Sequence, residues 1–451
     1  MRQALNPPGS GAPLEPGIME GSPPAADGSC LNLPITREEV LSALNALKNG
    51  KSSGVDGCPS ELLRYAILSE SDEPVPAEAD VASHLVRLLN VVFGAGEVPV
   101  DWNAVLVSPI FKKGDKSDQS NYRPISVSIA LEKLYATVLN ARLVQWLEAN
   151  DLRAPIQSGY RPHLGTEHQL FALRHLVEES RRKKSPLFVC FLDFVKAYDS
   201  VPRHLLWHIM REIGVPDQFL SAVQSMYVDV ACQVRLNGLV GLSFHACKGV
   251  KQGCPLSPTL FGVFIDRFYF MLMHQSGGHI GPALRDGTRV PSLFYADDGT
   301  MIATKAEDLH SLCGFLDVFC KRSDMKVNLG PGKTEVMIFG VSDRRRSALM
   351  AAHSFRLAGQ PVRYTAQYTY LGCKLHQRTL FGADFAKRGS QVLVKTMMLR
   401  RGLDNLGAAR SVRLGFRLYD VQVRPTAGYG SCVWATRFHK ADPKSRAVLN
   451  D

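Results

Sequence analysis

Two short stretches of the chain place carboxylates at the ends of apolar runs. Residues 187–192 form a continuous apolar run followed at once by Asp193, and residues 292–303 predict a strand, a tight turn carrying Asp297 and Asp298, and a second strand. A carboxylate beside a hydrophobic core is costly to desolvate, so such positions need a reason. Mg²⁺ prefers hard oxygen ligands and takes one or two carboxylates from a protein. Two such ions, ~3.5–4 Å apart, clamp the attacking and leaving oxygens of a phosphoryl displacement. The pattern therefore predicts a nucleotidyl-transferring polymerase.

Each of these stretches has a more ordinary interpretation when it is taken alone. An Asp before a loop is most often a turn or cap residue, and Asp-Asp-Gly is a common hairpin signal. The two together are far rarer than either. Between Asp193 and a helix that starts near Pro202, Tyr198 is predicted to lie in the connecting loop at the edge of the site.

A glycine-containing loop precedes a long apolar helix further along the chain. Gln252 and Gly253 come shortly before Ser257, a predicted N-cap, and Pro258, which suits the first helical position. Gly253 would let the backbone approach a nucleobase or sugar closely, because it carries no side chain. The alternative is an ordinary loop that leads into a well-formed helix start.

Basic side chains border a predicted β-hairpin. Residues 105–115 and 121–126 predict a strand, a basic tip and a return strand, which carry Lys112 and Arg123. Arginine binds phosphate through its bidentate fork and lysine binds it as a point charge, so both are candidates for a triphosphate site. Lys333 lies in another basic loop. Each of these loops is otherwise a solvated turn.

The composition is that of a globular protein, and its positive charge is compatible with an acidic partner. The 451 residues allow two or three domains, and 45% are hydrophobic and 21% charged. A formal charge of +11 is compatible with nucleic acid as a partner, and a merely soluble basic protein fits the charge equally well. None of the ten cysteines forms a C-x-x-C pair, which indicates reduced thiols of an intracellular protein. The chain has no apolar run of ~20 residues and no signal-peptide pattern, so we expect no membrane partner.

Composition also divides the chain. Residues 1–29 are rich in Pro, Gly, Ser and Ala, and such a segment is expected to be disordered. Thr36 and Glu39 form a predicted capping box at the first helix. Helical patterns then alternate with short strands to about residue 303, which predicts an α+β core. Residues 383–424 are helical in pattern and rich in Lys and Arg, which indicates either a solvated helix face or a domain that grips nucleic acid.

The order of these motifs resembles the reverse transcriptase region of a non-LTR (LINE-type) retrotransposon polyprotein, from about residue 33 to 436. Residues 191–199 resemble its first catalytic block, 252–258 the nucleotide and template loop, 295–298 the signature hairpin, 328 with 333–335 the block after it, and 368–372 the primer grip. Residues 50–57 and 429–434 resemble flanking blocks typical of this lineage.

The resemblance implies an α+β fold of the right-hand polymerase class, with fingers, palm and a helical thumb. The expected domains are a disordered Pro/Gly-rich tail (residues 1–32), fingers and palm (33–382) and a helical, basic, truncated thumb (383–451). The implied activity is RNA-directed DNA synthesis with two Mg²⁺ ions, Mn²⁺ being the alternative. The expected partners are an RNA template, a DNA primer and dNTPs, and the expected place of action is the nucleus.

The resemblance also assigns roles to individual residues. It implies Asp193, Asp297 and Asp298 as catalytic residues; Asp193, Phe194, Asp297 and Asp298 as metal ligands; Lys112, Arg123, Phe194, Tyr198, Gln252, Gly253 and Lys333 as nucleotide-binding residues; and Tyr370, Leu371 and Gly372 as the primer grip.

The sequence departs from the family in two respects. Its recognisable blocks include neither an endonuclease nor a Cys/His-rich segment, so we expect a truncated element copy or a domain-sized product that depends on external endonuclease activity for integration. Gly299 stands where an apolar strand residue is usual, and it is expected to loosen the hairpin. The alternatives are an intron-type or telomerase-like polymerase and, in another class, an inactive descendant that only binds RNA.

Overall fold

The computed structural model describes residues 20–68, 81–381, 390–399, 401, 417–421 and 423–429. The chain divides into two compact units, each built from three separate segments. Unit 1 comprises Met1–Tyr160, Phe194–Gly278 and Leu316–Lys326. Unit 2 comprises Arg161–Asp193, His279–Phe315 and Val327–Asp451.

Helices and short strands alternate along most of the described chain. The α-helices are α1 (Arg37–Ala46), α2 (Ser60–Leu68), α3 (Val81–Ala95), α4 (Ala130–Ala149), α5 (Thr166–Lys183), α6 (Ala197–Ser200), α7 (Arg203–Glu212), α8 (Asp217–Ser225), α9 (Ser257–Gln275), α10 (Ala306–Ser323), α11 (Asp343–Ala352) and α12 (Arg424–Gly428). The strands are β1 (Ala104–Phe111), β2 (Tyr122–Val127), β3 (Leu187–Leu192), β4 (Ala231–Leu236), β5 (Leu239–His245), β6 (Ser292–Tyr295), β7 (Asp298–Ala303), β8 (Glu335–Phe339), β9 (Arg356–Leu357), β10 (Gln360–Pro361), β11 (Arg363–Tyr364), β12 (Gln367–Tyr370) and β13 (Cys373–His376). Residues 390–399 and 417–421 are also helical. The α+β class predicted from the sequence is therefore confirmed.

Unit 1 contains a four-stranded sheet with the strand order β2-β1-β4-β5. β1 pairs antiparallel with β2 and parallel with β4. Val105 and Val107 of β1 are fully buried, and they pack with Cys232 of β4 and Phe244 of β5. Burial fades towards the end of β1, where Ile110 and Phe111 are exposed. The inner half of the hairpin therefore anchors an outer half that projects into solvent.

The N-terminal part of unit 1 is fixed by paired polar groups. The predicted capping box of α1 is present, because Thr36 accepts from the Glu39 N–H (3.3 Å) and Glu39 accepts from the Thr36 N–H (2.8 Å). Arg142 of α4 forms an ion pair with Glu39 (2.6 Å) and donates to the Leu31 carbonyl (3.2 Å). These contacts link α1, α4 and the segment before α1.

The prediction of a disordered tail over residues 1–32 is wrong for residues 20–32. Leu31 is 1% exposed, Trp146 donates to the Asp27 carbonyl (2.8 Å), and the Ala26 N–H donates to the Ile213 carbonyl (3.0 Å). Composition missed this order because most of the stabilising contacts are hydrogen bonds to the main chain, which residue types do not reveal. The rest of the predicted tail, residues 1–19, lies outside the described residues.

Unit 2 is organised around a five-stranded sheet with the order β11-β8-β3-β7-β6. β3 is antiparallel to both of its neighbours, β7 and β8. All six β3 residues are buried, because both faces of this strand are covered. On one face, Phe191 packs with α5 residues such as Leu173, and on the other, Phe188 meets the Phe355 ring edge-on (5.9 Å between centroids). A strand buried in this way holds its end rigidly.

The predicted boundary between palm and thumb at residues 382 and 383 stays a prediction. Residues 382–389, 400, 402–416, 422 and 430–451 lie outside the described residues, and they include much of the basic segment. Residues 390–399 are helical, in agreement with the helical pattern read from the sequence. Among the helices that the structure describes, none has both the length and the apolar character required to cross a membrane.

Candidate active site

The three predicted catalytic aspartates lie at one edge of the unit 2 sheet. Leu192, the last residue of β3, pairs with Gly299 of β7, and Tyr295 of β6 pairs with Asp298. Continuing the antiparallel β3–β7 register by one residue places Asp193 opposite Asp298. Asp193 is half-buried and Asp298 exposed. The sheet therefore brings together carboxylates that are about a hundred residues apart in the chain.

Asp297 lies in the two-residue turn that joins β6 to β7. The other turn residue, Ala296, has φ +56°, whereas Asp297 does not have a positive φ. This combination is that of a type II′ turn, whose twist matches the strands on either side. A positive φ is costly for alanine, so the paired strands must hold the turn. Asp297 is thereby presented next to Asp298 at the tip of a rigid hairpin.

Asp193 is held by a loop that follows β3 much later in the chain. Its carboxylate accepts from the Lys333 ammonium (3.0 Å) and from the Asn328 side-chain amide (2.9 Å). Its backbone N–H donates to the Thr334 hydroxyl (3.1 Å), and its carbonyl accepts from the Asn328 N–H (2.7 Å). Four hydrogen bonds therefore fix both the main chain and the carboxylate of Asp193.

Tyr368 packs against β3 and holds the loop that carries Lys333. Its ring stacks on Phe191 of β3 with 4.1 Å between centroids, and its hydroxyl donates to the Lys333 carbonyl (2.5 Å). Burial raises the pKa of the Tyr368 phenol above its usual range, and the charges of Asp193 and Asp298 raise it further. Asp193 and Asp298 therefore both lie close enough to the Tyr368 hydroxyl to raise its pKa. The sequence placed Tyr368 in the block that resembles the primer grip but predicted no contact between it and the aspartates, although the alternation of Tyr368 and Tyr370 on β12 was an available signal.

The predicted primer-grip residues form the turn between β12 and β13. Tyr370 pairs with Cys373, and the two turn residues, Leu371 and Gly372, both have positive φ, as in a type I′ turn. Tyr370 is 2% and Leu371 8% exposed, so their side chains belong to the unit 2 core. Gly372 is exposed, and the Leu371 carbonyl accepts from the Tyr429 hydroxyl (2.8 Å). Contact with a primer at this turn would therefore run through the main chain.

Gly299 does not loosen the hairpin as the sequence suggested. It pairs with Phe294 of β6, and a Cβ at Gly299 would lie 2.4 Å from the Phe294 ring. Phe294 itself is 2% exposed. The aromatic ring of Phe294 therefore covers the glycine across the strand pair, and the hairpin is packed at the point where an apolar side chain was expected.

Replacing Gly299 by Ala is expected to lower the free energy of unfolding by about 1–3 kcal/mol, because the ring must move to admit a methyl group. Chemical denaturation measures this value. The matched control is Gly314→Ala in α10, where a Cβ would meet nothing within 4 Å and the change is expected to stabilise by about 1 kcal/mol. Equal effects at the two glycines would contradict the packing role of Phe294.

The predicted nucleotide loop lies along the edge of β2 in unit 1. The Ser126 N–H donates to the Gln252 carbonyl (2.6 Å). Gly253 has φ +117°, and a Cβ there would lie 2.5 Å from the Ser126 carbonyl oxygen. The sequence interpretation assigned this glycine to close approach by a nucleotide. The close approach in the structure is that of β2, and the nucleotide contact stays a prediction.

Lys112 and Arg123 project from the same face of the β1–β2 hairpin. Arg123 pairs with Ile110, and Lys112 lies two residues beyond Ile110. The Lys112 N–H donates to the Asn121 carbonyl (2.8 Å), which extends the ladder past β1. Residues two apart on a strand share a face, so the two cations are neighbours, and both are exposed. The structure therefore places Lys112 and Arg123, the two residues predicted to bind a triphosphate, near each other on one face of the hairpin.

Phe194 and Tyr198 lie on the unit 1 segment that follows Asp193 in the chain. The Phe194 side chain is 6% exposed, so only its main chain is available as a ligand. Tyr198 is half-buried, and its ring stacks on Phe261 of α9 with 4.8 Å between centroids. Tyr198 lies in the short helix α6, outside the loop that the sequence predicted. Its carbonyl accepts from the Val250 N–H (2.9 Å), which ties α6 to the loop of Gln252.

The donor set suits Mg²⁺ in its chemistry. Asp193, Asp297 and Asp298 offer hard carboxylate oxygens at one sheet edge. Within the part of the chain that the structure describes, no three His, Cys, Asp or Glu side chains form a closed set of metal ligands. Mg²⁺ commonly uses one or two carboxylates and completes its shell with water and substrate phosphates, so an open site of this kind fits it.

Comparisons with known proteins show which family the chain resembles. The family model "Reverse transcriptase (RNA-dependent DNA polymerase)" matches residues 110–375, which include all the predicted catalytic and nucleotide-binding residues. The chain is 28% identical to the transposon TX1 uncharacterized 149 kDa protein of Xenopus laevis over 66% of the chain and 22% of that protein. It is 29% identical to the Pol polyprotein of the type-1 retrotransposable element R2 of Popillia japonica, over 59% of the chain and 34% of the relative.

A third relative is the RNA-directed DNA polymerase from mobile element jockey of Drosophila melanogaster, with 26% identity over 77% of the chain and 36% of the relative. The chain thus spans between about a fifth and about a third of the length of these relatives. The predicted right-hand polymerase fold and the resemblance to non-LTR retrotransposon proteins are confirmed. Because the family model covers more than half of the residues, the chain belongs to the reverse transcriptase (RNA-dependent DNA polymerase) family.

Proposed function

We propose that this chain extends the 3′-hydroxyl end of a primer with dNTPs on an RNA template, by two-metal nucleotidyl transfer. The observation that carries the proposal is the placement of Asp193 opposite Asp298 at one sheet edge, with Asp297 in the adjoining turn. The family match over the same residues supports it. A sheet edge of this kind suits phosphoryl transfer, which depends on positioning and on charge stabilisation.

Asp193 and Asp297 would hold Mg²⁺, with Asp298 and the main chain of Phe194 beside them, and Mn²⁺ is the alternative ion. When bound, the metal supplies Lewis acidity for the attacking and leaving oxygens. Lys333 now neutralises Asp193, at 3.0 Å from its carboxylate. We propose that Lys333 turns to the leaving pyrophosphate when a nucleotide is bound, since its side chain is 39% exposed and has four rotatable bonds.

The nucleotide roles rest on unit 1. Lys112 and Arg123, which share one face of the β1–β2 hairpin, would bind the triphosphate. Gln252 and Gly253 would line the nucleotide pocket, and the Tyr198 ring would lie against the sugar. Backbone hydrogen bonds hold these loops to one another, which gives the pocket residues fixed positions.

The wider partners are also proposals. We propose an RNA template and a DNA primer as partners, with residues 383–451 as a basic thumb that grips the duplex by its phosphates. The reaction would serve non-LTR retrotransposition in the nucleus, at a nick made by external endonuclease activity. The relatives named as retrotransposable-element polyproteins support this setting.

Primer extension by the purified protein tests the proposal. On an RNA template with an annealed DNA primer, we expect dNTP-dependent extension in Mg²⁺ and none in excess chelator. Omitting the RNA template while retaining the primer is the matched control. A folded, nucleic-acid-binding protein that extends no primer in Mg²⁺ or Mn²⁺ would contradict the proposed activity.

A further inference from the structure

Unit 1 contains a buried carboxylate that neither the metal site nor the triphosphate site uses. Asp199, in α6, is 4% exposed. Its Oδ1 accepts a hydrogen bond from the side-chain amide of Gln252 (3.2 Å). Burying a carboxylate costs free energy unless its partners compensate, so we expect Asp199 to have a role in the site.

Backbone contacts on both sides of Gln252 fix its main chain. Asp199 can therefore determine only the direction of the Gln252 side chain. The Gly249 N–H donates to the Val201 carbonyl (2.9 Å), and a Cβ at Gly249 would lie 2.7 Å from the Asp199 backbone. Next to Gln252 on the same side, Lys251 forms a buried ion pair with Glu132 (3.1 Å). On the other side, a Cβ at Gly253 would lie 2.5 Å from the Ser126 carbonyl oxygen. The Gln252 carbonyl is held by β2. What these contacts leave undetermined is the direction of the Gln252 side-chain amide.

An ionised carboxylate can fix that direction because it only accepts hydrogen bonds. The amide of Gln252 must therefore turn its NH₂ group to Asp199. Its Oε1 and its second N–H then remain available on the other side. A group that both donates and accepts would tolerate either orientation of the amide and would not select one.

We infer that Asp199 is a positioning residue for nucleotide binding, which orients the Gln252 amide so that one defined donor and one defined acceptor meet the incoming dNTP. The inference rests on the proposed nucleotide role of Gln252. It deepens that role, because recognition by Gln252 would then depend on the charge of a residue that does not itself touch the nucleotide.

A pH dependence follows from the same geometry. Burial raises the pKa of Asp199 to about 6, against the opposing effects of the Lys196 charge, the Gln252 hydrogen bond and the Lys112 charge. Protonation adds an O–H donor, so the neutral acid no longer selects one amide orientation. Affinity for dNTP is therefore expected to fall as the pH drops through about 6.

Asp199→Asn imitates the protonated state, since a side-chain amide also offers both a donor and an acceptor. We expect it to weaken dNTP binding about tenfold at about pH 7.5, as for one charge-assisted hydrogen bond. In the wild type, affinity is expected to fall about threefold between about pH 7.5 and about pH 5.5, because only part of Asp199 is protonated at the lower value. The variant should show no such fall beyond effects common to both proteins.

The experiment measures equilibrium binding of fluorescently labelled dATP in Mg²⁺, with primer extension on the same proteins. The proteins are the wild type, Asp199→Asn, Gln252→Met and the double variant. In the Gln252→Met background, which lacks the amide, Asp199→Asn is expected to change affinity by less than about twofold. Thermal unfolding confirms that each variant folds, and Asp199→Asn should be no less stable than the wild type because a buried charge is removed.

Equal dATP affinity of the wild type and Asp199→Asn at both pH values would overturn the inference. A further loss of affinity when Asp199→Asn is added to Gln252→Met would also overturn it, because Asp199 would then act by another route. The binding titration needs no catalysis, so it tests the inference even where no primer is extended. Failure of extension by the wild type would instead count against the proposed polymerase activity.

Discussion

Primer extension is expected to fall at least about 10³-fold when Asp193 or Asp297 is replaced by Asn, while folding and template binding stay close to wild type. Either change removes the negative charge of a proposed metal ligand and leaves the shape of the side chain unchanged. The Asp193–Lys333 ion pair is partly exposed (28% and 39%), so its loss should cost little stability. Steady-state extension, thermal unfolding and template binding together measure the three expectations.

Asp286→Asn is the matched control in the same unit. Asp286 is exposed, and its carboxylate accepts from the Thr288 N–H (3.0 Å) in the turn between Ala283 and Arg289, which precedes β6. An amide side chain can make the same bond, so this variant is expected to extend primers normally. Extension near the wild-type rate by Asp193→Asn or Asp297→Asn would show that the catalytic carboxylates have been assigned wrongly.

The local parts of this site could be predicted from the sequence because they follow from short-range patterns. β3 reads as a six-residue apolar run because a strand covered on both faces is apolar at every position. The turn at Asp297 follows from strand-forming residues on either side of two turn residues. The capping box of Thr36 and Glu39 is likewise contained within four residues.

The partners of these elements could not be predicted because they come from distant parts of the chain. Asn328 and Lys333 contact Asp193 across 135 and 140 residues. The packing of Phe294 over Gly299 depends on a cross-strand register that local composition does not fix. Each of the two units also combines three separate segments, and no composition shift marks most of their boundaries.

The order of residues 20–32 could not be predicted for the same reason, because the contacts that stabilise this segment come from a distant part of the chain. Residues 20–32 have few apolar side chains, yet the main chain around Leu31 accepts hydrogen bonds from Arg142 of α4. Arg142 lies more than a hundred residues away, so nothing in the segment itself indicates the interaction. A composition typical of disorder reflects only how much apolar surface the segment can bury with its own side chains.

The preference for dNTP over rNTP is expected to fall about 10²-fold in Tyr198→Ala. The proposed role of the Tyr198 ring is to occupy the space that a ribose 2′-hydroxyl would need, and alanine leaves that space open. The ring is held in place by its stack on Phe261, at 4.8 Å and an interplanar angle of 9°, and by the hydrogen bond from the Val250 N–H to its carbonyl. A side chain that cannot tilt away is a stronger steric barrier than a mobile one.

Competition between dNTP and rNTP in one primer-extension reaction measures this preference. Tyr198→Ala also uncovers Phe261, so some loss of stability and of overall rate is expected. The ratio of incorporated sugars is independent of that loss, because both nucleotides compete for the same active molecules. Tyr198→Phe is the matched control: it keeps the ring and the stack but lacks the hydroxyl, and it is expected to retain the wild-type preference. A ratio unchanged in Tyr198→Ala would leave Tyr198 as a packing residue against Phe261, whereas a shift in both variants would assign the discrimination to the hydroxyl.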